Sequence, residues 1–506
     1  MKETRILGIA VMLSAFLFIF NSCTKDFETI NKDPNNAGLE KAAPDMLLTN
    51  AIESMTNRVQ EIFLGEEMGN CWVQHEAKVQ YTDEDRYIYR TSVVNLTWSG
   101  FYATNGMDVQ ALYNVAVLKQ NNNYKGVALV LKSYITSVLT DLHGPVPYKE
   151  AWTGSANTLS AYDSQESIYK DIIAKLDTAN TLLTIGGSAI GGDILFNNDI
   201  LKWKKFANSL RMRLLLRMSG RDAAFVTTEL TKMVASATTY PIFASNADNA
   251  ALQYLGSAPN NNPVNENRKT RDDHRVSKTL TDIMWTKASY VDWRITVYAQ
   301  LANGDYVGMP NGLTSSQAAS YNGNGVTNTS KVGTYFLAAT APGMLMSYAE
   351  LKFILAEAAF KKYIPGGDDK AGEYYIDGIK GSYSQFEDAI IDGAAGYGVD
   401  GTTDEIAQDF IDNDDYAWDA TNGMKLIATQ RWAATFDQGL QAWFEWRRTG
   451  YPVLKPAVEG MNGGKIPVRV PYPTDEAARN PTSLAAGVTL LGGADDLNTR
   501  VWWDMQ

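Results

Sequence analysis

The chain has 506 residues, 45% hydrophobic and 20% charged, with a formal net charge of −12, which is the composition of a globular protein. No basic tract offsets the acidic balance, and this excludes a nucleic-acid footprint. Cys23 and Cys71 alone cannot build a disulfide framework or a cysteine-rich zinc site, and His75, His143 and His274, in no H-x-x-x-H spacing, supply a histidine-ligated metal or a Ser-His-Asp centre poorly.

In chain order, a short charged start, Met1 to Arg5, precedes an apolar run from Ile6 to Phe20. That run is shorter than the roughly 20 residues a membrane-spanning helix needs. Phe20-Asn21-Ser22-Cys23 then has the pattern of a bacterial lipobox. It predicts a lipoprotein signal peptide over residues 1–22, acylation of Cys23, and a body over 23–506 held at a membrane surface by acyl chains alone. Asp26 and Glu28 resemble the acidic tether of lipoproteins sent to the cell exterior.

Beyond residue 40 the periodicity is helical. Residues 43–68, 98–119 and 124–141 carry apolar positions at three- and four-residue steps. "SQESIYKDIIAKLDTANTLL" places Ile168, Ile172, Leu176, Ala179 and Leu183 on one face, behind Asp163 and Ser164 as capping candidates. "KWKKFANSLRMRLLLRM" does the same with Trp203, Phe206, Leu210, Leu214 and Met218, and "SYAELKFILAEAAFKK" with Tyr348, Leu351, Leu355 and Ala358. Residues 277–289 and 424–447 follow the pattern, while 249–255 and 466–472 read as short strands. The expected fold is mostly α, helix pairs with a few short β-ribbons; no strict 34-residue repeat is visible. Segments 256–275, 302–333, 361–383 and 392–404, rich in Gly, Asn, Asp and Ser, predict loop-rich insertions near 256–335 and 361–423.

Residues 72–102 hold seven aromatics, about twice the chain average, interleaved with amides, carboxylates and arginines. Sugars present apolar C–H faces and hydroxyl rims, so a protein that binds them needs flat rings and planar polar groups together. Trp72, Tyr81, Tyr87, Tyr89 and Trp98 are the expected platforms, Gln74, Asp85 and Arg86 the expected polar rim, and Tyr306 and Tyr321 join them from the 302–333 loop. No catalytic motif stands out. Glycoside hydrolysis needs a facing carboxylate pair, and no motif selects one among 57 Asp and Glu residues. "DNDDYAWD" (412–419) lacks the glycine and the acidic twelfth residue of a calcium loop, and His143 before Gly-Pro reads as a turn residue. No metal and no cofactor are expected.

Several phrases in order resemble the SusD/RagB-type nutrient-binding outer-membrane lipoproteins of Bacteroidetes. They are "INKDPNNA" (30–37), "TDLHGPVPYKEAW" (140–152), "GDILFNNDILKWKKFANSLRMRLLLRM" (192–218), "SYAELKFILAEAAFK" (347–361), "QRWAATFDQGLQAWFEWRRTGYPVL" (430–454) and "IPVRVPYPTDEAARN" (466–480). Asp292-Trp293-Arg294 stands where the family usually has Asp-Pro-Arg. The resemblance implies a scaffold of tetratricopeptide-like helix pairs with a packed, irregular C-terminal portion. It also implies a binding protein, not an enzyme, that captures oligosaccharides at the cell surface and passes them to a SusC-like TonB-dependent transporter of the outer membrane. Under it, Trp443, Trp446 and Arg447 belong to the scaffold. Peptide capture on the same architecture is the alternative, and a surface glycosidase a more remote one.

Overall fold

The computed structural model describes residues 38–154, 157–286 and 290–506; Cys23, the 1–22 segment and "INKDPNNA" lie outside them. Residues 38–43 belong to a separate unit and contain one 3-10 turn, Leu39–Lys41. Residues 44–506 form the second unit and carry all the other described helices and strands.

The periodic segments are helices, and their ends are chemically defined. Gln165–Leu182 starts at Ser164, whose hydroxyl accepts from Ser167 N, and Asp199 caps Ile200–Arg217 by accepting from Leu201 N and Lys202 N. Ser347 caps Tyr348–Phe360 through Glu350 N. Each cap occupies donors that the first helical turn leaves free. Met107–Leu118, Asn122–His143, Gln165–Leu182 and Ile200–Arg217 pack in succession, and Tyr348–Phe360 packs on Gly367–Ser384 and on Gly423–Ala434. The fold is mostly α, with four two-stranded antiparallel ribbons among the described residues. No described helix is long and apolar enough to cross a membrane.

Buried ion pairs join these helices. Arg213 and Arg431 both hold Glu350, at 2.5 and 2.8 Å, and Arg431 also holds Glu445 at 2.9 Å. Glu445 pairs with Arg217 at 2.8 Å, and Arg217 continues to Asp141 at 2.6 Å. Burial alone would raise the pKa of Glu350, but its two arginines hold it below the ordinary carboxylate value. Arg447 is buried with its guanidinium on the carbonyls of Val468 and Asp141, and Trp443 donates to the Pro467 carbonyl. Asp292 and Arg294 form a buried pair at 2.5 Å without the usual proline between them.

Four expectations need correction. Residues 361–383 and 392–404 are not simply loops: Gly367–Ser384, Glu387–Ala395 and Thr403–Ile411 are helices. The glycines that suggested a loop sit at close helix contacts, where a Cβ on Gly378 would come within 2.7 Å of the Phe353 ring and one on Gly381 within 2.9 Å of Tyr348. Residues 466–472 form no strand, because their backbone groups bond elsewhere: Val470 N donates to Leu142 O, Val468 N to Leu497 O, and the Val470 carbonyl meets His143 Nδ1 at 2.9 Å. The 277–289 helix stops at Met284 and gives way to the ribbon of Trp285–Thr286 and Tyr290–Val291. The 424–447 helix is two, Gly423–Ala434 and Gly439–Thr449, separated by a turn in which Asp437 has φ 64°.

Candidate functional site

Two π-helical segments, Ile62–Asn70 and Gly100–Gly106, interrupt the N-terminal helices. Such turns are rare and concentrate at functional sites. The first borders a cleft of 580 Å³ whose other walls come from 78–90, 267–273 and Ser315. It therefore draws on three stretches that the sequence marks as unusual: the aromatic segment and the first two long loops.

An antiparallel ribbon joins them. Glu76–Lys78 pairs with His274–Val276, Lys78 lying opposite His274, and Val79 N extends the ladder to Asp273 O at 2.7 Å. The chain then turns at Tyr81, which adopts the left-handed conformation (φ 50°) and leaves its side chain 61% exposed. An aromatic residue rarely takes that backbone region, and such strain gathers at functional sites. The Arg271 guanidinium stacks 4.1 Å from the Tyr81 ring centre, and Asp273 holds that arginine through Nε at 2.9 Å. On the same cleft, Arg90 stacks over Phe63 at 4.6 Å.

The floor is ionic. Lys78 is buried, with Nζ 2.6 Å from Glu67 and 3.2 Å from Glu84. Arg90, whose side chain is 46% exposed, reaches the same two carboxylates at 2.7 and 2.5 Å. Burial works against a charge on Lys78, yet Glu67 and Glu84 override it and keep its pKa above the ordinary lysine value. The lining thus combines ring surface with a fixed set of donors and acceptors.

The sequence-predicted residues divide sharply. Tyr81 lines the cleft. Trp72 is wholly buried, its indole donating to Glu84 O at 3.0 Å and its ring packed on Trp443. Gln74 donates to Lys455 O and accepts from Thr279 Oγ1 at 2.6 Å, while the Tyr87 hydroxyl accepts from Ala457 N at 2.8 Å. Asp85 accepts from Asn311, Gly312 N and Lys78 N, and burial pushes its pKa up to about 6. These four are corrected to internal positions, because aromatic and polar residues alike are consumed in fixing the loops to one another. Asp85 ties the 311–312 turn to the ribbon and so positions the site. Arg86 donates to Glu459 O, Tyr89 is half-buried, and Tyr306 packs against Trp285 at 4.8 Å. Tyr321 lies on a small satellite core of Ala77, Val79, Met309, Leu313 and Ala318. Trp98 is mostly buried among Tyr102, His143, Tyr162 and Tyr472, with an edge on a smaller cleft of 260 Å³ that Tyr102 and Trp152 also line. Sequence reasoning missed Phe63, Glu67, Lys78, Glu84, Arg90, Asn267, Arg271 and Asp273. The dense mixed charge of "NRKTRDDHR" (267–275) was the one available signal.

Glu66, Glu76 and His274 bring two carboxylates and an imidazole within 4.8 Å of one another, all buried. They are already joined by their own contacts. Arg268 meets Glu66 at 2.6 Å, His274 Nδ1 meets Glu76 at 2.8 Å, and Asn70 donates to Glu76 at 3.0 Å. A guanidinium therefore takes the place a cation would need, and we assign no metal to it.

Residues 34–473 match the family described as SusD-like, starch-binding and associating with the outer membrane. The chain belongs to the SusD-like family. Among solved structures, a chitin-binding SusD homologue from Flavobacterium johnsoniae is 27% identical, with 91% of this chain and 99% of that one covered and a TM-score of 0.74. A chitin-binding protein is 24% identical at TM-score 0.75, and a SusD homologue from Bacteroides fragilis is 24% identical at TM-score 0.75; each covers 92% of this chain and 100% of its own. No curated protein sequence matches. The fold of these SusD homologues and the ladder of buried ion pairs agree with the scaffold reading of "SYAELKFILAEAAFK" and "FDQGLQAWFEWRR", whose Glu350, Glu445 and Arg447 face inward.

Proposed function

We propose that this protein is a glycan-binding lipoprotein of the outer membrane, anchored through acylated Cys23 and facing the cell exterior. It captures oligosaccharides in the Tyr81 cleft and passes them to a SusC-like TonB-dependent transporter. The observation that carries this reading is the exposed Tyr81 ring, held in an unusual backbone conformation beside a rim of pre-paired guanidinium and carboxylate groups. A sugar ring stacks on the tyrosine while its hydroxyls meet donors and acceptors whose positions are already fixed, so little ordering entropy is lost on binding. The family match and the chitin-binding relatives support the ligand class.

The cleft binds without chemistry in this reading. Glu67 and Glu84 are each engaged by both Lys78 and Arg90, which leaves neither as an unencumbered acid opposite a free base. Isothermal titration of maltooligosaccharides, chitooligosaccharides and peptides tests the proposal. Saturable binding of a saccharide, weakened about tenfold in Tyr81→Ala, is the expected result, in keeping with ring contacts of ~0.5–1.5 kcal/mol. Binding of peptides with every saccharide silent overturns it.

A further inference from the structure

The C-terminal half of the helix Pro44–Gln60, the second π-helical segment and residues 258–266 enclose another cleft, of 650 Å³. It shares walls with the Tyr81 cleft, since consecutive residues face the two: Glu61 and Ile62, and again Glu266 and Asn267. Its floor has an unusual property. Asn105 is fully buried, and neither its amide oxygen nor its amide nitrogen has a protein partner. Ser54 Oγ and Arg58 Nε, on the facing helix, are also buried without a partner.

Buried polar atoms are nearly always hydrogen-bonded, and each one left alone costs stability. Four unpartnered buried atoms on residues that line one cleft call for a ligand that supplies both donors and acceptors. The Asn105 amide offers one of each in a single plane, Ser54 offers both, and the Arg58–Glu61 pair at 3.2 Å and the Glu266 carboxylate add charged hydrogen-bonding groups. Pro259 and Pro263 supply apolar surface between them. Adjacent hydroxyls on a sugar ring, each able to donate and accept, complement that set.

We infer that this cleft is a second saccharide subsite, in which Asn105 and Ser54 bind vicinal hydroxyls of a neutral sugar. The inference rests on the glycan reading above and adds a site to it. Maltohexaose and N-acetylchitohexaose are titrated against the wild type, Asn105→Leu, Ser54→Ala and Tyr81→Ala, with Tm measured for each. Asn105→Leu is expected to bind at least tenfold more weakly while its Tm rises, because an apolar group of similar volume replaces an unpaired amide. Ser54→Ala is expected to bind several-fold more weakly with Tm unchanged, and it decides the matter if Asn105→Leu does not fold. Wild-type affinity in both variants overturns the subsite and assigns the orphan atoms to internal water only. In that case a loss in Tyr81→Ala leaves the first cleft standing. A wild type that binds neither probe overturns both.

Discussion

Two regions of this molecule use the same residue types to opposite ends. Along the scaffold, Arg213, Arg217 and Arg431 meet Glu350, Glu445 and Asp141 with every side chain in the ladder at most 9% exposed. In the Tyr81 cleft, Lys78 and Arg90 meet Glu67 and Glu84 at similar distances, but the Arg90 side chain is 46% exposed, and Arg271 stacks on the exposed Tyr81 ring of the same lining. Pairing that is closed on all sides specifies how helices pack and offers a ligand nothing. Pairing with one open side holds its groups still and leaves them available. Burial of the partners, more than their chemistry, separates the scaffold from the proposed binding cleft.

Four variants test the division between closed and open pairing. Glu350→Ala leaves Arg213 as an uncompensated buried charge and takes from Arg431 one of its two carboxylates, and chemical denaturation is expected to show a loss of ~3–5 kcal/mol. A smaller loss would mean that the ladder relaxes or admits water. Gly378→Leu forces a side chain against Phe353, already within 2.7 Å of a notional Cβ, and the same measurement is expected to give ~1–3 kcal/mol of destabilisation.

His143 is buried, and burial lowers its pKa to about 3, against about 6.5 in an unfolded chain. Its folded-state pKa is depressed, so the stability it contributes is present above pH ~6.5 and falls as pH drops toward 3, by ~1.4 kcal/mol per unit. The stability–pH curve of His143→Phe should therefore be flatter than that of the wild type by that slope over this window, whatever its offset. Parallel curves would mean that the imidazole can take a proton in place. Tyr81→Ala stands at the other end of the scale. As an exposed side chain it should change stability by no more than about 0.5 kcal/mol, while saccharide affinity falls about tenfold. A large stability loss would move Tyr81 into the structural class with Trp72.

How far the sequence could be read follows the same division. Helices such as Gln165–Leu182 and Ile200–Arg217 were legible because their apolar spacing and capping residues are local properties. Gly367–Ser384 was not, since its glycines serve contacts with Phe353 and Tyr348 from a separate helix. Residues 466–472 alternate like a strand, yet find their partners in Leu142, His143 and Leu497. For the proposed site, aromatic density pointed to the segment from which Tyr81 enters the cleft, but Trp72 and Tyr81, nine residues apart, differ only in what the fold puts over them. Lys78 and Arg90 carried no signal at all, and Arg271 only the mixed charge of its segment, because a paired charge looks the same in sequence whether its pair is closed or open.

The most direct test of this division is backbone hydrogen exchange of the protein with and without a saturating saccharide, maltohexaose or N-acetylchitohexaose. Added protection is expected in residues 79–90 and 267–273 and none in the scaffold helix Tyr348–Phe360. Protection that appears on the scaffold while the cleft segments stay unchanged would contradict it.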